Sequence, residues 1–246
     1  MKLILLRHGE SVWNLENRFT GWTNVDLTDN GKIEAKNAGK LISNGNIRID
    51  YAYISFLKRA IKSYKICMRE QINHKICIKK DWRLNERHYG NLQGLNKSET
   101  AKKYGSKQVK IWRRSYNIPP PELSEDDVRH PKFDKLYKNI DRSMLPKSES
   151  LKDTLERVKP LWQEEILPKL QSNKNILIVA HGNSLRAIVK ILKNISNEDI
   201  VNVNIPTGMP YVFNFNSDIE LISDNYLGNE DEVVEKTKIV EKQASG

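Results

Sequence analysis

Two histidines in this chain share one local setting, and that setting can do phosphoryl chemistry. His8 follows the apolar run Leu3-Ile4-Leu5-Leu6 in Arg7-His8-Gly9-Glu10, and His181 follows Ile176-Leu177-Ile178-Val179-Ala180 in His181-Gly182-Asn183-Ser184. An apolar strand ending in His-Gly delivers an imidazole to the crevice at the strand ends, where open α/β sheets bind ligands. Imidazole near neutrality is largely uncharged and nucleophilic, so it can attack phosphorus. Phosphoryl transfer then asks mainly for positioning and charge stabilisation. Arginine suits that task because its planar fork matches phosphate bidentately. Arg7 precedes His8, and Arg59 follows a second short apolar segment. His181 can supply a further donor. Glycines such as Gly182 let backbone amides approach an anion, and a helix N-terminus there favours negative charge. A proton must also move. Glu86 stands just past a third strand, and a partly desolvated carboxyl beside a phosphate suits a general acid. Arg113-Arg114 is a pair of adjacent cations placed to hold a second acidic group.

Each residue alone also has a structural reading. Arg59 could be a helix-start surface charge, Glu86 a loop acid, Arg113-Arg114 a solvated face. Trp22, Trp82 and Trp112 read as packing anchors. The conjunction decides, because every candidate falls at a strand's carboxyl end or in the segment above it.

The elements that position these groups can be read from hydrophobic spacing. Strands are expected over 2–6, 51–55, 75–79 and 176–180, and a terminal hairpin pair over 211–214 and 219–223. Helices are expected from the N-cap Thr28 to about Ser43, over 57–71, and from about Ser184 to Leu192. Ser11–Asn14 can open a short helix, and 16–27 reads as a long loop. Ser150 with Asp153 forms a near capping box that opens another helix, which Pro160 and Pro168 should kink or divide. Residues 87–149 read as an insertion over the active site. It holds short helices near 97–104 and 107–114 and the extended Pro119-Pro120-Pro121. The alternation of strand and helix predicts an α/β three-layer sandwich, a mostly parallel sheet with helices on both faces. One domain is expected over 1–228, with a mobile tail, or a frayed helix, over 229–246.

The 246 residues suffice for one large core. Lys+Arg 41 against Asp+Glu 31 gives a formal net charge of +10, which suits an anionic partner. The charge is spread along the chain and the lysines accompany many Asn and Ile, so local arginines carry more weight. No apolar run is long enough for a membrane helix, and no secretory leader is visible, so a cytoplasmic protein is expected. Cys67 and Cys77 are expected to be reduced and buried. No zinc, calcium or P-loop signature occurs; the inferred chemistry needs no metal, since cationic side chains neutralise the phosphate.

Longer blocks resemble a known family. Leu6 to Trp22, Leu57-Lys58-Arg59-Ala60, Leu84 to Gly94, Pro119-Pro120-Pro121, Val179 to Arg186 and Asn204-Ile205-Pro206-Thr207-Gly208 resemble the histidine phosphatase superfamily. Within it they resemble the cofactor-dependent phosphoglycerate mutases, in order and to about Gly228. The resemblance implies that His8 carries the phosphoryl group, that Arg7, Arg59 and His181 hold it, and that Glu86 donates and accepts the proton. It places Ser11, Asn14, Thr20, Gly21, Tyr89, Lys97, Arg113, Arg114, Gly182 and Asn183 against substrate. It implies small phosphorylated glycerates as substrates, 2,3-bisphosphoglycerate as primer, and a homo-oligomer, dimer or tetramer. Ile54 and Phe56 depart from the family's usual threonine and valine, and local repacking is expected there.

Three other readings compete. A bisphosphoglycerate mutase would differ at Ser11 and Gly21. A broad phosphatase needs to hold only one phosphate, against which the insertion with Arg113-Arg114 argues. A basic nucleic-acid-binding module would cluster its cations with exposed aromatics, and no such cluster is seen.

Overall fold

The computed structural model describes residues 1–70 and 75–242. Six strands form one sheet: β1 (Lys2–Arg7), β2 (Tyr51–Ile54), β3 (Cys77–Lys80), β4 (Ile176–Ala180), β5 (Tyr211–Phe215) and β6 (Leu221–Tyr226), in the order β3-β2-β4-β1-β5-β6. The first four neighbours pair parallel, and β5 and β6 add on antiparallel. Both faces are buried, because side chains alternate across a strand. Leu3, Leu5, Ile176 and Ile178 join one apolar cluster, and Ile4, Leu6, Leu177 and Val179 join another.

The helices are α1 (Val12–Leu15), α2 (Asp29–Asn44), α3 (Lys58–Cys67), α4 (Lys97–Tyr104), α5 (Ser106–Arg114), α6 (Leu151–Leu161), α7 (Leu167–Gln171), α8 (Gly182–Lys193) and α9 (Glu230–Lys242). Helices α2 and α3 supply Ala38, Ile42, Ala60 and Tyr64 to one face. Helices α6 and α8 supply Val158, Leu161, Leu185 and Ile188 to the other. The three-layer arrangement is therefore the expected one. Thr28 caps α2 by accepting from Gly31 N, and Ser150 with Asp153 forms a full capping box on α6. Pro160 sits in the last turn of α6. A π-helical turn over Trp162–Ile166 comes next, and Pro168 opens α7. The prolines thus divide this segment as expected.

Several boundaries differ. The helix expected over 57–71 ends at Cys67 and passes into a 3-10 turn, Met68–Glu70; Gln71 lies outside the described residues. Helix α8 begins two residues early, at Gly182, which brings its N-terminus to the end of β4. Cys77 is exposed, not buried, because β3 is the edge strand and all four of its residues face solvent. Cys67 is buried, as expected.

The 87–149 segment carries α4, α5 and several single 3-10 turns. Two small cores fix it. Phe19 packs with Leu92, Ala101 and Val109, and Trp22 packs with Tyr137 and Leu145 against Phe56 and Trp82. The aromatics of the 16–27 loop therefore hold it down, and Trp22, Trp82 and Trp112 are packing residues. After Gly228 the chain is helical as α9; residues 243–246 lie outside the described ones.

Candidate active site

Parallel pairing of β1 with β4 in the register Arg7↔Ala180 sets the two His-Gly turns side by side. His8 N donates to Ala180 O at 3.1 Å, and the two imidazole centroids are 4.8 Å apart. Pairing of β2 with β4 brings Ser55 to the same edge, with its Oγ 2.6 Å from His181 Nε2. The turn after His8 is tight. A Cβ on Gly9 would lie 2.0 Å from Gly31 O, so the first turn of α2 can press against it.

His8 Nδ1 is 2.7 Å from Gly9 O. A carbonyl can only accept, so the proton sits on Nδ1 and the lone pair on Nε2. Arg59 Nε donates to that Nε2 at 3.2 Å, while its terminal nitrogens donate to Thr23 O and Gly21 O. Burial, then the charges of Arg59 and Arg7, lower the His8 pKa well below 6.5. Burial, Arg59, His8 and Arg7 do the same to His181. Both rings are thus uncharged at neutral pH. Arg7 NH1 donates to Ile205 O at 2.7 Å, and its Nε is buried with no partner among the described residues.

Glu86 Oε1 accepts from Arg87 N at 2.8 Å, Asn183 N at 3.0 Å and Asn183 Nδ2 at 2.9 Å. The carbonyls of Asn85 and Glu86 accept from Arg157 NH2, each at 2.9 Å. Arg157 also forms a bidentate buried pair with Glu149. That pair and the Trp22 indole, which donates to Glu86 O, fix the loop.

These groups open on a cleft with an empty volume of about 610 Å³. Of the expected residues, Arg7, Asn14, Thr20, Gly21, Glu86, Tyr89, Lys97, Arg113, Arg114, Gly182 and Asn183 line it. His8, Arg59 and His181 lie behind that wall, at most 2 % exposed. Ser11 does not reach it. It caps α1, with its hydroxyl bound to Asn14 Oδ1, and so holds Asn14 instead. Arg18, Phe19, Arg186, Asn204, Ile205 and Val240 also line the cleft; none was expected as a contact. Arg186 stands one turn beyond Asn183 on α8, a spacing that places both on one face. For Val240 the sequence holds no signal.

The cleft is crowded with cations. Burial and neighbouring arginines lower Arg113 to about 10 and Arg186 to about 9, and bring Lys97 well below its ordinary value. Burial alone would raise the Tyr89 phenol, but Arg87 and Arg113 outweigh it and hold it below 10. An anion entering here relieves like-charge repulsion as well as meeting unpartnered donors.

A sequence profile described as histidine phosphatase superfamily (branch 1) matches residues 3–130 and 123–222. The chain belongs to the histidine phosphatase superfamily. The chain is 54 % identical over 241 residues to a 2,3-bisphosphoglycerate-dependent phosphoglycerate mutase of Parabacteroides distasonis, covering 98 % of this chain and 97 % of that one. It is 51 % identical over 243 residues to the enzyme so named in Elusimicrobium minutum, covering 99 % and 98 %. In three dimensions it is similar to a mycobacterial glucosyl-3-phosphoglycerate phosphatase, with TM-score 0.69, 19 % identity, and 92 % and 96 % of the two chains covered. At that identity the likeness shows the shared superfamily fold.

Proposed function

We propose that this member of the histidine phosphatase superfamily interconverts 3-phosphoglycerate and 2-phosphoglycerate through a phosphohistidine on His8, primed by 2,3-bisphosphoglycerate. One observation carries this reading. Cations stand at the nucleophile, where Arg7 lines the cleft and Arg59 lies behind its wall against His8, and again on the insertion, where Lys97, Arg113 and Arg114 line the same cleft. A hydrolase acting on a single phosphate has no use for the second group. A substrate that carries two phosphates in turn needs both. The primer fits the same donors: Arg7 Nε and Arg113 NH1 are buried and have no hydrogen-bond partner among the described residues. When bound it supplies the phosphoryl group that loads His8.

His8 Nε2 attacks phosphorus while Nδ1–H stays on Gly9 O, which fixes the tautomer through the step. The Arg59 Nε–H that rests on the lone pair shifts to an oxygen of the transferring group. Arg7 helps to neutralise that group, and the N-terminus of α8 adds its dipole. Glu86 gives the proton to the departing substrate oxygen, and takes one back from the hydroxyl that receives the phosphoryl group. The bisphosphorylated intermediate reorients between the two cation groups, so either phosphate can return to His8.

The test is a coupled assay from 3-phosphoglycerate with and without trace 2,3-bisphosphoglycerate. Turnover to 2-phosphoglycerate is expected, dependent on primer and unchanged by EDTA. His8→Ala should abolish both turnover and acid-labile phosphate on the protein. Release of inorganic phosphate as the main product, or retained labelling in His8→Ala, contradicts the reading.

A further inference from the structure

The two oxygens of Glu86 are not equivalent. Oε1 accepts three N–H groups, so its lone pairs are committed and leave no room for a proton. Oε2 shares the Gly182 side of the cleft with the Arg7 guanidinium: a Cβ placed on Gly182 would lie 3.6 Å from Oε2 and 3.7 Å from Arg7 Cζ.

One of the three donors depends on a side chain whose orientation could be reversed. The Asn183 amide gives Nδ2–H to Glu86 only if its oxygen points the other way. Arg186 sees to that. Its NH1 donates to Asn183 Oδ1 at 2.9 Å, and its NH2 is pinned by Ile200 O at 2.6 Å. A flipped Asn183 would set an NH2 against the guanidinium and a carbonyl against the carboxylate, two repulsions at once. Arg186 is 4 % exposed and Asn183 7 %, so water offers little relief.

We propose that Arg186 is a positioning residue, acting through Asn183 to hold Glu86 Oε1 as a fixed acceptor so that Oε2 alone carries the transferred proton. The proposal rests on the acid/base role given to Glu86 above. As the bond from phosphorus to the substrate oxygen breaks and the bond to His8 Nε2 forms, the leaving oxygen takes the proton from Oε2. In the return step the bond to Nε2 breaks, and the attacking hydroxyl gives its proton to Oε2.

The experiment measures kcat and KM for Arg186→Met, Arg186→Lys, Glu86→Gln and the double variant Arg186→Met/Glu86→Gln. The assay runs from 3-phosphoglycerate with primer, after circular dichroism confirms folding. Arg186→Met should lower kcat roughly 10- to 100-fold, the scale of a misplaced reacting group, and leave KM within about threefold. Arg186→Lys, which can keep one bond to Asn183, should fall between, and it carries the test if the methionine variant does not fold. In the Glu86→Gln background Arg186→Met should cost almost nothing more. A raised KM at unchanged kcat, or the full loss repeated in the Glu86→Gln background, would make Arg186 a substrate contact and overturn the proposal. Undiminished turnover of Glu86→Gln would instead remove the acid/base role of Glu86 itself, and this proposal with it.

Discussion

His88 shows how a single buried group sets a property of the protein that catalysis does not reveal. It is fully buried, its Nδ1 accepts from Gly90 N at 3.1 Å, and its ring meets the edge of Trp22 at 5.7 Å. Burial first, then the charges of His130 and Arg157, push its pKa down to about 3. In the unfolded chain it returns to about 6.5. Between those values the unfolded chain takes up a proton that the native protein refuses. Stability is therefore fully present above pH 6.5 and drains away as pH falls toward 3, by up to about 5 kcal/mol at 1.36 kcal/mol per unit. His8 and His181 add with the same sign. Guanidinium unfolding should show a midpoint falling steadily from pH 7 to pH 4. His88→Asn, which keeps an acceptor for Gly90 N, should flatten that slope by up to one proton; an unchanged slope would mean that His88 takes up its proton in the fold as readily as in the unfolded chain. At this scale the sequence declares groups that sit beside a strand end, such as Arg7 and His8. It hints at Arg186 only through its spacing from Asn183 and is mute about Val240, which reaches the cleft from the far end of the chain.

Elements are legible wherever burial imposes a period. Strands β1 and β4 are apolar on both faces because both faces are covered, and α8 carries Leu185, Ile188 and Val189 toward the sheet. The burial of edge strand β3 is not legible, because Cys77 and Ile78 look like core residues, yet both are exposed. Helix α9 has few apolar residues and weak periodicity; its visible tie is Lys236 to Glu34, an ion pair 3.1 Å long that spacing along the chain cannot announce. The contact between the His8 turn and α2 is equally silent, since it is made by what two glycines lack. A Cβ on Gly9 would stand 2.0 Å from Gly31 O, and one on Gly31 would stand 2.0 Å from Glu10 O. Both obstacles are backbone, so neither can swing aside. Gly31→Ala, outside the cleft, should cost about 1–3 kcal/mol of stability as an overpacked site. It should also lower kcat, because the displaced turn carries His8. A Gly31→Ala protein with native stability and native turnover would show that α2 can shift without moving His8.

For the whole molecule the deciding fact is strand order. Placing β4 between β2 and β1 carries His181 to His8 and to Ser55, each across more than a hundred residues of sequence. The repeated strand-His-Gly unit hints at that meeting, although it does not specify which strands are neighbours. Net charge is the weaker signal: +10 spread over the chain says little, whereas the fold gathers Arg7, Arg113, Arg114, Lys97 and Arg186 onto one cleft. Clefts with one sign of charge raise the local concentration of an opposite ion, and salt weakens the effect as the screening length falls from about 30 Å at 0.01 M to about 10 Å at 0.1 M. Raising NaCl across that range should therefore lower kcat/KM for phosphoglycerate several-fold, chiefly through KM. At saturating substrate kcat should change little, because the groups that act on the bound phosphate lie within a few ångströms of it and are largely buried, where screening is weak. Lys138→Glu, an exposed position on the insertion, changes net charge by two units without touching the cleft. It should shift kcat/KM far less than Arg114→Gln does. Equal effects of the two variants would assign the steering to overall charge, and a salt-independent kcat/KM would remove steering altogether.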